Sequence, residues 1–205
     1  MCKRLGIYGG TFDPIHTGHL ILAEMTRQEC GLDKVVFIPA ANPPHKRDRY
    51  ISSPMQRLEM TRLAIEDNPH FELSDMEIKR KGISYTVDTL KALRDIYPEE
   101  CEFWMIIGSD SLLELNTWKD IEKITQMCNF AVYMRPDSPV DRCKAQAQAI
   151  GEGANGNITF VQAPMIEISS TDIREKVAKG KSIRYMVTDR VRQYIMDRGL
   201  YNGRL

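Results

Sequence analysis

The eleven residues from Gly9 to His19, Gly-Gly-Thr-Phe-Asp-Pro-Ile-His-Thr-Gly-His, form the densest set of chemistry-bearing groups in the chain. The apolar run Leu5–Tyr8 before them reads as a first β-strand. Leu20–Met25 after them reads as a helix that ends at Gly31. A glycine turn between strand and helix lets backbone approach a phosphate and aims the helix's unpaired N–H groups at it. His16 and His19 stand at that helix start and add imidazole donors. Together these groups predict a site for phosphoryl chemistry. Helix capping would explain either histidine alone. A structural zinc is disfavoured because the i, i+3 histidine pair has no suitable third ligand nearby except Asp13.

Four further segments carry polar groups that plain loops rarely need. Asn42-Pro43-Pro44-His45-Lys46 joins a rigid turn to an amide, an imidazole and a cation, a presentation suited to holding phosphate in place. Ser84-Tyr85-Thr86 opens a helix, where capping by Ser84 or Thr86 competes with ligand contact. Gly108-Ser109-Asp110 follows a strand, and Asp110 is placed to hold a ribose hydroxyl or to cap the next helix. Beyond it, Trp118 lies in a polar turn, either as a lid on the core or as a stacking platform for a flat ring. Ile168-Ser169-Ser170-Thr171-Asp172-Ile173-Arg174 resembles a second anion-binding helix start, since capping accounts for one hydroxyl but not for three followed by an arginine.

The elements that must position these groups alternate along the whole chain. Strands are predicted at Leu5–Tyr8, Val35–Pro39, Phe71–Leu73, Phe103–Ile107, Phe130–Met134 and Ile158–Val161. Between them, Met55, Leu58, Thr61 and Ala64-Ile65 line one face of a helix begun by Pro54. Val87, Leu90, Leu93 and Tyr97 do the same before Pro98, and Val187, Val191, Tyr194 and Ile195 before Gly199. The alternation predicts an α/β fold, a Rossmann-like doubly wound parallel sheet with helices on both faces. In such a sheet the strand order reverses between the first and fourth strands. That puts the turns at Gly9-Gly10-Thr11 and at Gly108-Ser109-Asp110 beside one crevice.

The 205 residues suffice for one domain spanning 1–205, without an internal repeat. Gly151–Gly156 reads as a turn-rich surface loop. The 28 basic and 28 acidic residues balance, so no overall field favours nucleic acid. His45-Lys46-Arg47 and Lys79-Arg80-Lys81 are local basic clusters that a solvated face explains. Five cysteines, odd in number and without a Cys-X-X-Cys pair, indicate neither a disulfide framework nor a zinc ribbon. With no signal-like N-terminus and no membrane-spanning apolar run, the expectation is a cytoplasmic protein with no membrane partner. Assembly is left open, a homo-oligomer included.

Gly9–His19 resembles the His-X-Gly-His signature of the nucleotidyltransferase superfamily. With Asn42–Lys46, Ser84–Thr86, Gly108–Asp110, Trp118 and Ile168–Arg174, the set resembles the bacterial nicotinate-nucleotide adenylyltransferases over most of the chain. The resemblance implies transfer of AMP from ATP to nicotinate mononucleotide, giving nicotinate adenine dinucleotide and pyrophosphate. It implies a nucleotide site of Gly9, Gly10, Thr11, Phe12, His16, His19, Gly108, Asp110, Ser169, Ser170, Thr171 and Arg174. It implies an acceptor site of Asn42, Lys46, Tyr85, Thr86 and Trp118, with His16, His19, Lys46 and Arg174 acting in catalysis. Mg²⁺ would ride on ATP rather than in a protein cage. An enzyme using nicotinamide mononucleotide or phosphopantetheine, or an ATP-binding sensor without turnover, are the alternatives.

Overall fold

The computed structural model describes residues 3–41, 51–80, 82–135, 138–152, 158–164 and 166–203. Its elements, in chain order, are β1 (Arg4–Gly10), α1 (Thr17–Glu29), β2 (Lys34–Pro39), α2 (Pro54–Ile65) and β3 (Phe71–Leu73). Then come α3 (Met76–Arg80), α4 (Thr86–Arg94), β4 (Glu102–Gly108), α5 (Ser109–Leu113) and α6 (Ile121–Met127). The chain closes with β5 (Asn129–Tyr133), α7 (Val140–Glu152), β6 (Ile158–Val161), α8 (Ser170–Ala178) and α9 (Asp189–Asp197). The six strands form one sheet in the order β3-β2-β1-β4-β5-β6, with every pairing parallel. This is the expected Rossmann-like α/β arrangement, and the order reverses between β1 and β4 as expected.

Both faces of the sheet are covered, and side-chain alternation divides the core in two. Tyr8, Phe37, Trp104, Ile106, Ala131 and Tyr133 pack under α1, α2, α8 and α9. Leu5, Ile7, Ile38, Phe103, Met105, Ile107, Phe130 and Val132 pack on the other face with α4, α5, α6 and α7. Among the described residues no helix is long and apolar enough to cross a membrane.

Four expectations need correction. Val187 precedes α9, whose N-cap is Thr188; its burial belongs to the connecting turn rather than to the helix face. Tyr97 lies past the end of α4, where the apolar period runs on into a turn. Met55 is 62% exposed, and α2 instead buries Arg57, Met60, Thr61, Ala64 and Ile65. Gly151 and Glu152 are the end of α7 rather than loop; residues 153–156 lie outside the described residues.

Candidate active site

The C-terminal end of β1 leads into a turn with an unusual backbone. Phe12 adopts φ 49°, the left-handed region that few side chains tolerate, and its ring folds back so that a Cβ on Gly10 would approach it to 2.8 Å. The ring is buried against Tyr8 and Phe37, and stands edge-on to His19 at 5.2 Å. Phe12 thus backs His19 from beneath, with its ring turned into the core. Gly9 is exposed, and a Cβ there would meet nothing within 4 Å.

His16 is the N-cap of α1 and His19 its third residue, so one turn of helix brings the rings together. They stack with centroids 3.7 Å apart. The His16 N–H donates to Nδ1 of His19 at 3.2 Å, which leaves the neutral ring's proton on Nε2. His16 is buried, and its Nδ1 has no hydrogen-bond partner among the described residues. Burial, reinforced by the charge of Arg135, pushes His16 down to about 4, so this imidazole is neutral near pH 7.

A cleft of about 760 Å³ opens over this turn. Thr11, Phe12, His16 and His19 form one wall; Ser169, Ser170, Thr171 and Arg174 from the start of α8 form another; Asp110 and Arg135 stand at the ends of β4 and β5. The α8 wall is built by side-chain bonds back to the β1 turn. Ser169 caps α8 by accepting from the Asp172 N–H, and the Ser170 hydroxyl donates to the Pro14 carbonyl at 2.9 Å. Arg174 donates to the Asp13 carbonyl at 2.7 Å and to the Thr171 hydroxyl at 3.1 Å. Each of the three hydroxyls therefore has a structural bond while lining the cleft. The walls carry guanidinium, imidazole and hydroxyl groups that can bind an anion, beside the carboxylates of Asp13, Asp110 and Glu167.

Of the residues expected to meet the acceptor, Tyr85, Thr86 and Trp118 are described, and they lie outside this cleft. Tyr85 is the N-cap of α4 and Thr86 its first residue; neither hydroxyl caps the helix. Capping by Ser84 is not realised either: its hydroxyl accepts from the Ala41 N–H at 3.3 Å. Trp118 is half-buried on the face of the sheet that carries α4, and the ammonium of its neighbour Lys119 sits 4.5 Å above the Tyr85 ring. Gly108 is the N-cap of α5 between the two groups. The His16–Arg174 cleft and the Tyr85 and Trp118 side chains thus flank the strand ends from opposite faces, with Gly9, Gly10 and Gly108 at the crest. Asn42, Lys46 and the His45-Lys46-Arg47 cluster lie outside the described residues, as does Lys81. Lys79 pairs with Asp75 and Arg80 with Thr89, as a solvated face would have it.

Four residues at this site were not read as site residues from the sequence. Arg135 lines the cleft and pairs with Asp110 at 2.8 Å. Asp13 is 3% exposed and central: its carboxylate accepts from the Tyr201 hydroxyl at 2.7 Å and from the Ser52 N–H at 3.3 Å. Arg57, 1% exposed, donates to the carbonyls of Thr11, Ala41 and Ser52 at 2.8, 3.1 and 3.1 Å. A signal for Arg57 was available: it occupies the first place of a buried i, i+3, i+4, i+7 set, a cation where helical period demands an apolar residue. Tyr201, close to the C-terminus, gave no such sign.

Comparison with known proteins gives the family and supports the fold. Residues 7–176 match the Cytidylyltransferase-like family model. A relative from Desulfitobacterium hafniense (strain Y51), named "Probable nicotinate-nucleotide adenylyltransferase", is 46% identical over 200 residues, 97% of this chain and 96% of its own. A relative of the same name from Thermoanaerobacter sp. (strain X514) is 46% identical over 199 residues, 97% of this chain and 94% of its own. Among solved structures, Plasmodium falciparum nicotinic acid mononucleotide adenylyltransferase complexed with NaAD superposes with a TM-score of 0.78 at 21% identity, covering 97% of both chains. That last likeness is one of fold. On the family model and the near-full-length relatives, the chain belongs to the Cytidylyltransferase-like family and, within it, to the nicotinate-nucleotide adenylyltransferases.

Proposed function

We propose that this chain, as one nucleotidyltransferase domain in the cytoplasm, joins the AMP moiety of ATP to nicotinate mononucleotide. The products are nicotinate adenine dinucleotide and pyrophosphate, a step of NAD biosynthesis. The observation that carries this reading is the cleft in which the His16–His19 pair faces the Ser169–Arg174 wall across the end of β1. A nucleotide held only for sensing needs no separate donor groups for the α-phosphate and for the leaving group.

In the reaction, an oxygen of the acceptor phosphate attacks the α-phosphorus of ATP. The bond from that phosphorus to the bridging α,β-oxygen breaks, and pyrophosphate carries the electron pair away. The acceptor phosphate is ionised near neutral pH, so no strong general base is required. Rate enhancement comes from in-line placement and from donors aimed at developing charge. His19 presents Nε2–H to the α-phosphate, and neutral His16 stacks behind it and contacts the triphosphate. Arg174 offsets the charge of the leaving pyrophosphate, and the Thr171 hydroxyl and the backbone N–H groups of the Ser169–Ser170 helix start add donors. Gly9, Gly10, Thr11 and Phe12 supply main chain to the nucleotide, and Gly108 and Asp110 flank the adenosine. Tyr85, Thr86 and Trp118 hold the pyridine ring, while Asn42 and Lys46 serve the acceptor phosphate.

Mg²⁺ would arrive with ATP and would supply charge compensation for its phosphates, without a protein cage of its own. The donor set fits that arrangement. The cleft offers imidazoles, hydroxyls and guanidinium groups. Of its carboxylates, Asp110 is paired with Arg135 and Asp13 with Tyr201 and the Ser52 N–H, and Glu167 is the third. Among the described residues no group of three His, Cys, Asp or Glu side chains could hold the ion. Incubation with magnesium-ATP and nicotinate mononucleotide tests the reading: the dinucleotide and pyrophosphate should form in equal amounts. A folded chain that binds ATP and forms neither would be a sensor.

A further inference from the structure

The buried Arg57 contributes nothing to the walls of the cleft, yet each of its three acceptors is main chain at the edge of the site. Thr11 belongs to the nucleotide turn after β1, Ala41 follows β2, and Ser52 precedes α2. Burying a guanidinium carries a desolvation penalty that an apolar side chain at the same helical position would avoid. Its planar fork, however, fixes three carbonyls in one geometry, which neither an apolar group nor a single ammonium can do.

The Ala41 peptide is gripped from both sides. Its carbonyl accepts from Arg57 at 3.1 Å, and its N–H donates to the Ser84 hydroxyl at 3.3 Å. Ser84 immediately precedes the Tyr85–Thr86 start of α4. A continuous path of bonds therefore runs from Thr11, on the nucleotide side, through Arg57 and Ala41 to Ser84 on the acceptor side. Asp13 closes the network, since its Oδ2 accepts from the Ser52 N–H while its own carbonyl accepts from Arg174. In this way the groups on the two faces of the sheet are tied together across the strand ends.

We propose that Arg57 is the positioning residue that sets the ATP-binding turn against the acceptor-side helix start, and so fixes the in-line distance between the two reacting phosphates. The inference rests on the adenylyl-transfer reading above. It separates alignment from binding: each substrate meets its own half-site, and Arg57 holds the halves in register. A displacement of about 1 Å at a reacting centre lowers rate by roughly 10²-fold.

The test is Arg57→Lys, which keeps the charge and loses the fork. Turnover should fall by about 10²-fold, while the dissociation constants of ATP and of nicotinate mononucleotide, each measured alone by calorimetry, stay within about threefold. Turnover within about threefold of the parent in a folded Arg57→Lys protein overturns the proposal, as does a loss of substrate affinity that matches the loss of turnover. Should the lysine variant not fold, Ser84→Ala releases only the far end of the path. It should lower turnover by about tenfold with both affinities kept, and unchanged turnover overturns the proposal. The parent runs alongside. A parent that binds both substrates and forms no dinucleotide overturns the reaction assignment, and this proposal with it; an active parent with an equally active variant overturns this proposal alone.

Discussion

The backbone N–H of His16 reaches the Nδ1 of His19 at 3.2 Å, and the two rings stack at 3.7 Å. The helix start therefore selects the tautomer of its own catalytic candidate, with the proton on Nε2. His19→Ala should lower turnover by about 10²–10³, the scale of one lost oxyanion donor, without unfolding the protein. His19→Gln, whose amide reaches the Nε2 position, should retain more activity than His19→Asn. Steady-state kinetics with circular dichroism as the folding control decides it, and a loss below about tenfold for His19→Ala removes His19 from the chemistry.

His16 makes stability depend on pH. Its folded value is depressed to about 4 by burial and then by Arg135, against 6.5 for the ordinary side chain. Between those values the unfolded chain holds the extra proton, so stability falls as pH drops from 6.5 toward 4. The His16 share of that loss between pH 7.5 and 4.5 is roughly 2–3 kcal/mol, at about 1.4 kcal/mol per pH unit. Urea unfolding at the two pH values should show a difference smaller by about that amount in His16→Asn than in the parent. Equal differences in the two proteins would contradict the assignment.

Tyr201 fastens the C-terminal segment to the site through Asp13. Burial, and then the neighbouring Asp13 charge, push the Tyr201 hydroxyl up, so it remains a neutral donor. Tyr201→Phe leaves a buried carboxylate oxygen one donor short and should cost about 1–3 kcal/mol of stability. A shift below roughly 0.5 kcal/mol in urea unfolding, the range of an ordinary surface substitution, would show that the bond contributes little.

Asp110 and Arg135 are both more than half exposed at the cleft, so their ion pair adds less than about 1 kcal/mol to stability. Asp110→Asn should leave the melting temperature nearly unchanged while raising the KM for ATP by about tenfold, the effect of roughly 1.4 kcal/mol of lost ribose contact. A KM within about twofold of the parent would remove Asp110 from the nucleotide site.

Removing Mg²⁺ should stop turnover while leaving the fold intact. Excess chelator should abolish dinucleotide formation and leave the melting temperature of the substrate-free protein within about 2 °C, since the ion is assigned to ATP rather than to the fold. A chelator-induced drop in melting temperature would place the ion in the protein.

Much of this architecture was legible because its signals are local. The all-apolar centre of Phe103–Ile107 announced a central strand, and the first six helical residues after His19 announced α1. Periodicity overshot at Tyr97 and Val187 because an apolar residue in a tight turn serves the same core as the helix beside it. It undershot at α3, α5 and α6, which span five to seven residues, too short to show a repeat. Of the site, the glycine turn, the histidine pair and the Ser169–Arg174 start were legible because their residue types and spacing carry the chemistry. Arg57, Asp13, Arg135 and Tyr201 were not read as site residues, because most of their contacts span long stretches of chain: 16 residues from Arg57 to Ala41, 26 from Arg135 to Ser109 and 188 from Tyr201 to Asp13. Only the folded sheet brings those groups together.

The most direct measurement is kcat/KM for pyrophosphate release from magnesium-ATP with nicotinate mononucleotide, nicotinamide mononucleotide and phosphopantetheine as parallel acceptors. Preference for nicotinate mononucleotide by at least about tenfold, or roughly 1.4 kcal/mol of discrimination, is the expected result. Equal or greater efficiency with either of the other two would contradict the acceptor assignment while leaving the adenylyl-transfer chemistry in place.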